Sequence, residues 1–368
     1  MKSCAIEKFA KVLVDYSMDI QKGDNLCIQT HIPSLLLVQE VYKQALQKGA
    51  NLTVNVMVEE LNELYYLHAS DEQLAYISPL KVLEVGHFDA FLVILGNENI
   101  KSMAGVDSER MAKRAQAKKD LNTKFMQRMC DSDLKLCITQ FPNNALAQGA
   151  GMSLRGYEDF LAKACFLNEE NPTELWRNYS KEQAKICAFL MGKKNFRIVS
   201  EGTDLRFCAE GRTWVNCDGR INFPDGEVFT GPVEDSVNGT IRFSFPGVYH
   251  GKEVEDIQLK FEEGKVVHAD AKRGKEILES MLNTDEGARR AGEFAIATNY
   301  NIQTFTKNIL FDEKIGGTVH LALGSSIPVS GGVNKSAIHW DMVCDMRNGQ
   351  IYADDELIYE NGKFIIDF

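Results

Sequence analysis

The chain has 368 residues, 44% of them hydrophobic and 25% charged, the make-up of an ordinary globular protein and enough length for two cores. A formal net charge of -11 argues against nucleic acid or an anionic membrane surface as the main partner and favours small molecules or peptides. Nine cysteines run from Cys4 to Cys344 with no C-x-x-C pair, so neither a disulfide framework nor a zinc knuckle is indicated, and they fit a reducing compartment.

The opening "MKSCAIEKFAKVLVDYSMDI" mixes charged and apolar residues at helical period and has no continuous apolar stretch of the kind a signal peptide needs, so a cytoplasmic protein is expected. No later run approaches the roughly 18 apolar residues of a membrane span. Residues 6–17 form an amphipathic helix on this spacing, "NLCIQT" (25–30) a strand, 34–48 a helix closed by Gly49, and "NLTVNVMV" (51–58) a second strand. "FDAFLVILG" (88–96) and "LKLCITQF" (134–141) add two buried strands, and helices between strands imply a mainly parallel sheet. The basic stretch from Arg110 to Arg128 carries its charges at helical intervals, which favours a solvated helix face over a phosphate site.

A long helix is expected over 171–194, with Pro172 at its start and Gly192 near its end. Beyond it the chain turns to short strands broken by Asn-Gly, Glu-Gly and Asp-Asp turns, "TDLRFCA" and "GQIYADDELIYENGKFIIDF" among them. The fold class is therefore an α/β N-terminal domain with a mainly parallel sheet, plus an α+β C-terminal domain rich in antiparallel β. The boundary is placed near residue 190, giving domains 1–190 and 191–368.

Candidate chemistry gathers in the second domain. In "SAIHWDMVCDM" a strand puts Ile338, Trp340 and Met342 on one face and projects His339 and Asp341 from the other. Alone, such a pair reads most simply as a hydrogen-bonded His–Asp couple. "GGTVHLALG" repeats the pattern, with Val319, Leu321 and Leu323 apolar and His320 opposite them. The other histidines, His31, His68, His87, His250 and His268, sit at turns or element ends and read as surface or cap residues.

Two carboxylates join the list. Glu227 follows a Pro-Asp-Gly turn at the start of a strand, where a lone acid is usually a solvated turn residue. "NTDEGARRAGEFAIATN" is read as a helix capped by Asn283 or Thr284, which places Glu293 toward the unfavourable end of the helix dipole. A bound metal or a basic neighbour, Arg289 or Arg290, would answer that charge. Two imidazoles and three carboxylates make up the ligand inventory of a site for two divalent ions.

The ordered set "GEVFTGP", "ARRAGEFAIATN", "DEKIGGTVHLALG" and "SAIHWDMV" closely resembles the metalloaminopeptidases of the aminopeptidase T, aminopeptidase S and PepS type, and "KVLVDYSMDIQKGDNLCIQ" and "YKQALQKGA" extend the likeness into the first half. The resemblance implies a cytosolic, dimeric exopeptidase acting on peptides with a free N-terminus through two divalent ions, zinc or cobalt, with manganese a further candidate. Carried over by motif, the ligands are Glu227, Glu293, His320, His339 and Asp341, and Glu227 or Glu293 would also relay a proton to the leaving amine. One departure stands out: where the family has a tyrosine in a "SYPETGG"-like segment, this chain has "SSIPVSGG", with Ile327 in the tyrosine's place and Val329 where an acid is common. Ser325, Ser326 and Tyr300 are candidate replacements for the lost hydroxyl. Two alternatives stay open: a non-haem Fe(II) ring-cleaving dioxygenase using His320, His339 and Asp341, and a metal-binding homologue with weakened peptidase activity.

Overall fold

The computed structural model describes residues 1–249 and 251–366. It divides into two compact units, Met1–Trp176 with Gly219–Pro224, and Arg177–Asp218 with Asp225–Phe368. The division falls inside the helix Pro172–Met191, earlier than the change of composition near 190 suggested. The reason is Trp176, fully buried in the first unit with its ring 5.3 Å from that of Phe166 and 5.0 Å from that of Phe223.

The first unit holds a five-stranded parallel sheet in the order Asn51–Met57, Asn25–His31, Ala90–Leu95, Lys135–Gln140, Asn222–Phe223. Leu26, Cys27 and Ile28 and the facing Ala90 and Leu92 are fully buried, as expected of strands covered on both faces. The helix Leu35–Lys48 ends at Gly49 with φ 86°, a left-handed cap that glycine takes without steric cost. The basic stretch forms the helices Ser108–Ala117 and Lys119–Cys130. Its arginines do not simply face solvent: Arg114 donates to the carbonyls of Leu74 and Tyr76, Arg128 to those of Val85 and Phe88, and Arg110 to those of Tyr66 and Ala69. They close the carbonyl ends of neighbouring helices.

Of the histidines set aside above, His68, His87 and His268 are exposed, and His250 lies outside the described residues. His31 is a correction, because it is buried and its Nδ1 accepts the Gly96 N–H at 3.3 Å. In this sheet the end of a strand is covered, so an element end was a poor sign of exposure.

The second unit packs two mainly antiparallel sheets face to face. An eight-stranded sheet runs Lys265–Asp270, Ile257–Glu262, Asn238–Phe243, Thr203–Cys208, Asn195–Ser200, Gln350–Ala353, Glu356–Glu360, Lys363–Phe364. A five-stranded sheet runs His339–Asp345, Thr318–Gly324, Ala291–Ala297, Glu227–Thr230, Val215–Cys217. Alternate residues of both fill one core, among them Ile198, Leu205, Phe207 and Ile351 from the first and Val228, Phe294, Leu321 and Met342 from the second. No helix among the described residues is long and apolar enough to cross a membrane, and all nine cysteines are free thiols.

The segment read as a helix around Glu293 is not one. Asp285 caps a short 3-10 turn, Glu286–Arg289, and Ala291–Ala297 is the central strand of the five-stranded sheet, all seven residues buried. Helix-forming alanine and glutamate misled the reading, and burial on both faces erased the alternation that marks a strand. Small residues serve another purpose here: a Cβ on Gly292 would stand 2.5 Å from the carbonyl oxygens of Gly324 and Ser325.

Candidate metal centre

Strand register determines which side chains meet, because residues paired across an antiparallel ladder share a face. Cys217 pairs with Glu227 and Glu227 with Ala297. Phe229 pairs with Ala295 and Ala295 with His320. Glu293 pairs with Ala322 and Ala322 with Asp341, and Gly324 pairs with His339. Glu227, Glu293, His320, His339 and Asp341 thus leave one face of the sheet, the one turned away from the core, separated by alanine and glycine. These small residues leave room between the polar side chains. A β-bulge between Ala291 and Glu293 sets the phase that brings Glu293 onto this face.

The convergence is close. His320 Nε2 lies 3.4 Å from Glu293 Oε1, 3.6 Å from Glu227 Oε2 and 3.8 Å from Asp341 Oδ1. His339 Nε2 lies 3.3 Å from Glu293 Oε2 and 3.5 Å from Asp341 Oδ1. Two triads, Glu227–Glu293–His320 and Glu293–His339–Asp341, each bring ligand atoms within 4.8 Å of one another, and Glu293 belongs to both. Glu227 is not a solvated turn residue but is 4% exposed.

Each imidazole is turned by its other nitrogen. His320 Nδ1 meets the Glu313 carbonyl at 3.2 Å and His339 Nδ1 the Ser325 carbonyl at 2.7 Å, so Nδ1–H donates and Nε2 is aimed at the carboxylates. Glu227 Oε2 and Asp341 Oδ1 are buried without a hydrogen-bond partner, an arrangement that costs free energy unless a cation answers them. The donor set of imidazole and carboxylate, with two orphaned oxygens aimed inward, fits divalent metal ions.

In the metal-free protein protons take that part. Burial by itself would lower the imidazoles, but Glu227, Glu293 and Asp341 push His320 up to about 10, and Asp341 and Glu293 push His339 up to about 12. Burial raises Glu227 to about 8 against the pull of Lys314 and His320. Asp341 is held down at about 2, the imidazolium of His339 outweighing burial, and Glu293 is lowered by its bonds to both histidines in spite of burial.

Three further groups at the site went unnoticed in the sequence. Glu313 combines with His320 and Asp341 within 4.8 Å, and its carboxyl is raised by burial. Asp225 is 1% exposed. Lys314, fully buried, reaches Glu227 Oε1 at 3.2 Å and Asp225 Oδ1 at 3.6 Å and contacts Glu313. Glu313 and Lys314 lie inside the quoted "DEKIGGTVHLALG" and Asp225 in the Pro-Asp-Gly turn before Glu227, and charges embedded in apolar flanks, as in "ILFDEKIGG", were the signal available.

The basic neighbours offered for Glu293 bond elsewhere: Arg289 donates to Asn283 Oδ1 and the Val266 carbonyl, and Arg290 to the Glu234 carbonyl. Of the hydroxyls considered, Tyr300 donates to the Gly362 carbonyl at 3.0 Å and Ser325 to the Ser326 carbonyl at 3.5 Å. Ser326 Oγ is buried without a partner. Ile327 is half-buried ahead of the short turn Pro328–Ser330, and Val329 is exposed.

Residues 3–364 match the family model described as thermophilic metalloprotease (M29). Aminopeptidase 2 of Geobacillus stearothermophilus is 29% identical, with 98% of each chain covered, and aminopeptidase AmpS of Bacillus subtilis is 28% identical over the same shares. The solved structure of wild-type AmpT from Thermus thermophilus superposes with a TM-score of 0.84 at 23% identity, covering 98% of this chain and 99% of that one, which shows a shared fold.

Proposed function

The chain belongs to the thermophilic metalloprotease (M29) family, and from that premise we propose that it is a metal-dependent aminopeptidase releasing N-terminal amino acids from peptides. Glu227, Glu293 and His320 would hold one divalent ion, and Glu293, His339 and Asp341 would hold a second. The observation that carries this reading is the pair of triads sharing Glu293 on one sheet face.

Charge supports the number of ions. With every carboxyl ionised, Asp225, Glu227, Glu293, Glu313 and Asp341 set five negative charges against the one positive charge of Lys314. Two divalent cations with neutral imidazoles bring this buried group to neutrality, and an unbalanced buried charge is costly.

Bound divalent ions polarise a carbonyl and lower the pKa of water to about 7. The protein's own groups do the rest. The Nδ1–H bonds of His320 and His339 to carbonyls hold the rings so that Nε2 faces inward. Glu227 and Glu293 were the expected proton carriers, but both serve as ligands in this arrangement. Glu313, beside His320 and Asp341, in contact with Lys314 and outside the two triads, is the carboxyl that would take a proton from the attacking water and give it to the leaving amine.

A two-His-one-carboxylate iron centre does not suit this site, since Glu227 and Glu293 crowd the triad it requires. Ile327 leaves the site without the family's tyrosine, so turnover is weaker than in relatives that have it. Loss of one oxyanion donor lowers turnover about 10²- to 10³-fold. Zinc or cobalt, with manganese as a further candidate, suits imidazole and carboxylate ligands. We place the enzyme in the cytoplasm, in keeping with its free thiols, as a homodimer acting on peptides with a free N-terminus.

The deciding experiment combines elemental analysis of the purified protein with a panel of aminoacyl p-nitroanilides under zinc, cobalt and manganese. Two ions per chain with amine release are expected. A single iron with oxygen consumption, or full metal loading without amine release on any substrate, overturns the proposal.

A further inference from the structure

Lys314 is a fully buried charged group that the ligand set does not use. We propose that its ammonium is a built-in cation filling a third cation position beside the two metal sites, bounded by Cys217, Asp225 and Glu227, and that it acts there as a positioning residue for Glu227. The inference rests on the reading of Glu227 as a ligand.

Three observations carry it. Cys217, Asp225 and Glu227 bring one ligand atom each within 4.8 Å of one another, a cluster with the geometry of a metal site and a donor set of thiolate and carboxylate that suits zinc or cobalt. That cluster already holds a positive charge, since Lys314 Nζ is 3.2 Å from Glu227 Oε1 and 3.6 Å from Asp225 Oδ1 with its side chain wholly shielded from solvent. Register places Cys217 directly opposite Glu227 on the neighbouring strand, while Lys314 reaches in from the turn after the short helix Ile309–Asp312.

The lysine also decides which oxygen of Glu227 is available. It takes Oε1 and leaves Oε2, without a hydrogen-bond partner, facing His320 Nε2 at 3.6 Å. A metal in the third position would compete for the same carboxylate and turn it from the two-metal site. Charge leads to the same conclusion: with the lysine gone and Cys217 ionised, the group carries six negative charges, which three divalent ions neutralise.

The test is a titration of metal-free full-length protein with Co²⁺, followed by absorption spectroscopy and by elemental analysis after desalting. Wild type is expected to saturate without a thiolate-to-cobalt charge-transfer band. Lys314→Ala is expected to take up one further ion per chain and to show that band in the near ultraviolet, and Lys314→Ala combined with Cys217→Ser is expected to lose it. A Lys314→Ala protein that saturates at the wild-type level with no thiolate band overturns the proposal. If the single variant does not fold without metal, it is expected to refold in excess Co²⁺ with the band present, and failure to refold there also overturns it. The wild-type plateau separately tests the ligand reading: a value other than two ions sinks that reading, while the increment between variant and wild type still reports on Lys314.

Discussion

Glu293 Oε1 stands 3.4 Å from His320 Nε2, and the other oxygen of the same carboxylate stands 3.3 Å from His339 Nε2. One side chain on the central strand therefore serves both halves of the site. Glu293→Gln keeps the volume and removes the charge that, on the proposed two-ion reading, both cations would share. Its cost in kcat/KM is expected to exceed the about 10- to 100-fold typical of losing an outer-shell partner, with metal content falling as well. Elemental analysis beside turnover measurements checks this, and full metal loading with near-normal turnover would show that Glu293 is not shared.

Much of this site is readable from spacing. Val319, Leu321 and Leu323 opposite His320, and Trp340 and Met342 opposite His339 and Asp341, alternate because one face of each strand enters the core. Glu293 defeated the same method, since Ala291–Ala297 is buried on both faces and its alanines carry no strand signal. Lys314 was illegible for a different reason. A lysine in a turn is ordinarily exposed, and its burial follows only once Glu227 and Asp225, distant in sequence, are folded around it beside its chain neighbour Glu313.

Ile327→Tyr restores the hydroxyl that the family resemblance leads one to expect. The position is half-buried and precedes the Pro328–Ser330 turn, close in sequence to Ser325, whose carbonyl holds His339. Tyr300, a possible substitute, is engaged with the Gly362 carbonyl. A gain in kcat approaching the about 10²-fold worth of an oxyanion donor is expected on p-nitroanilide substrates, with KM little changed. No gain would mean that the missing hydroxyl does not limit the reaction.

Metal binding is expected to release protons at neutral pH. In the metal-free protein His320 and His339 are raised to about 10 and about 12, well above the roughly 6.5 of an unfolded histidine. Their contribution to the stability of the metal-free protein is complete below that unfolded value and is lost as pH rises through 10 and then 12. Glu227, raised to about 8, works in the same direction, because folding disfavours its ionised form as pH rises past the ordinary carboxyl range. Metal requires the deprotonated ligands, so the metal-induced rise in Tm should grow between pH 6 and pH 9 at fixed free metal. Calorimetry of stripped and loaded protein, with titrations in buffers of different ionisation enthalpy, measures both effects. A Tm gap that shrinks with pH contradicts the protonation states described here.

Ala322 lies in the row between Glu293 and Asp341, and its small side chain leaves the space that a cation needs. Ala322→Leu adds three carbons on the ligand face while leaving the core face of the strand, Val319, Leu321 and Leu323, unchanged. Overpacking of this kind costs about 1 to 3 kcal/mol, which a two-domain protein tolerates more readily than a metal site tolerates the displacement of its ligands. The expected outcome is a folded protein with a modest drop in Tm, a reduced metal content and little peptidase activity. Glu293→Gln should reach the same metal-poor state by removing charge instead of space, so the two variants together separate the shape of the cavity from its electrostatics. Should Ala322→Leu keep its full complement of metal, the ions do not occupy the space between these strands, and the sharing of Glu293 between two sites would fall with it.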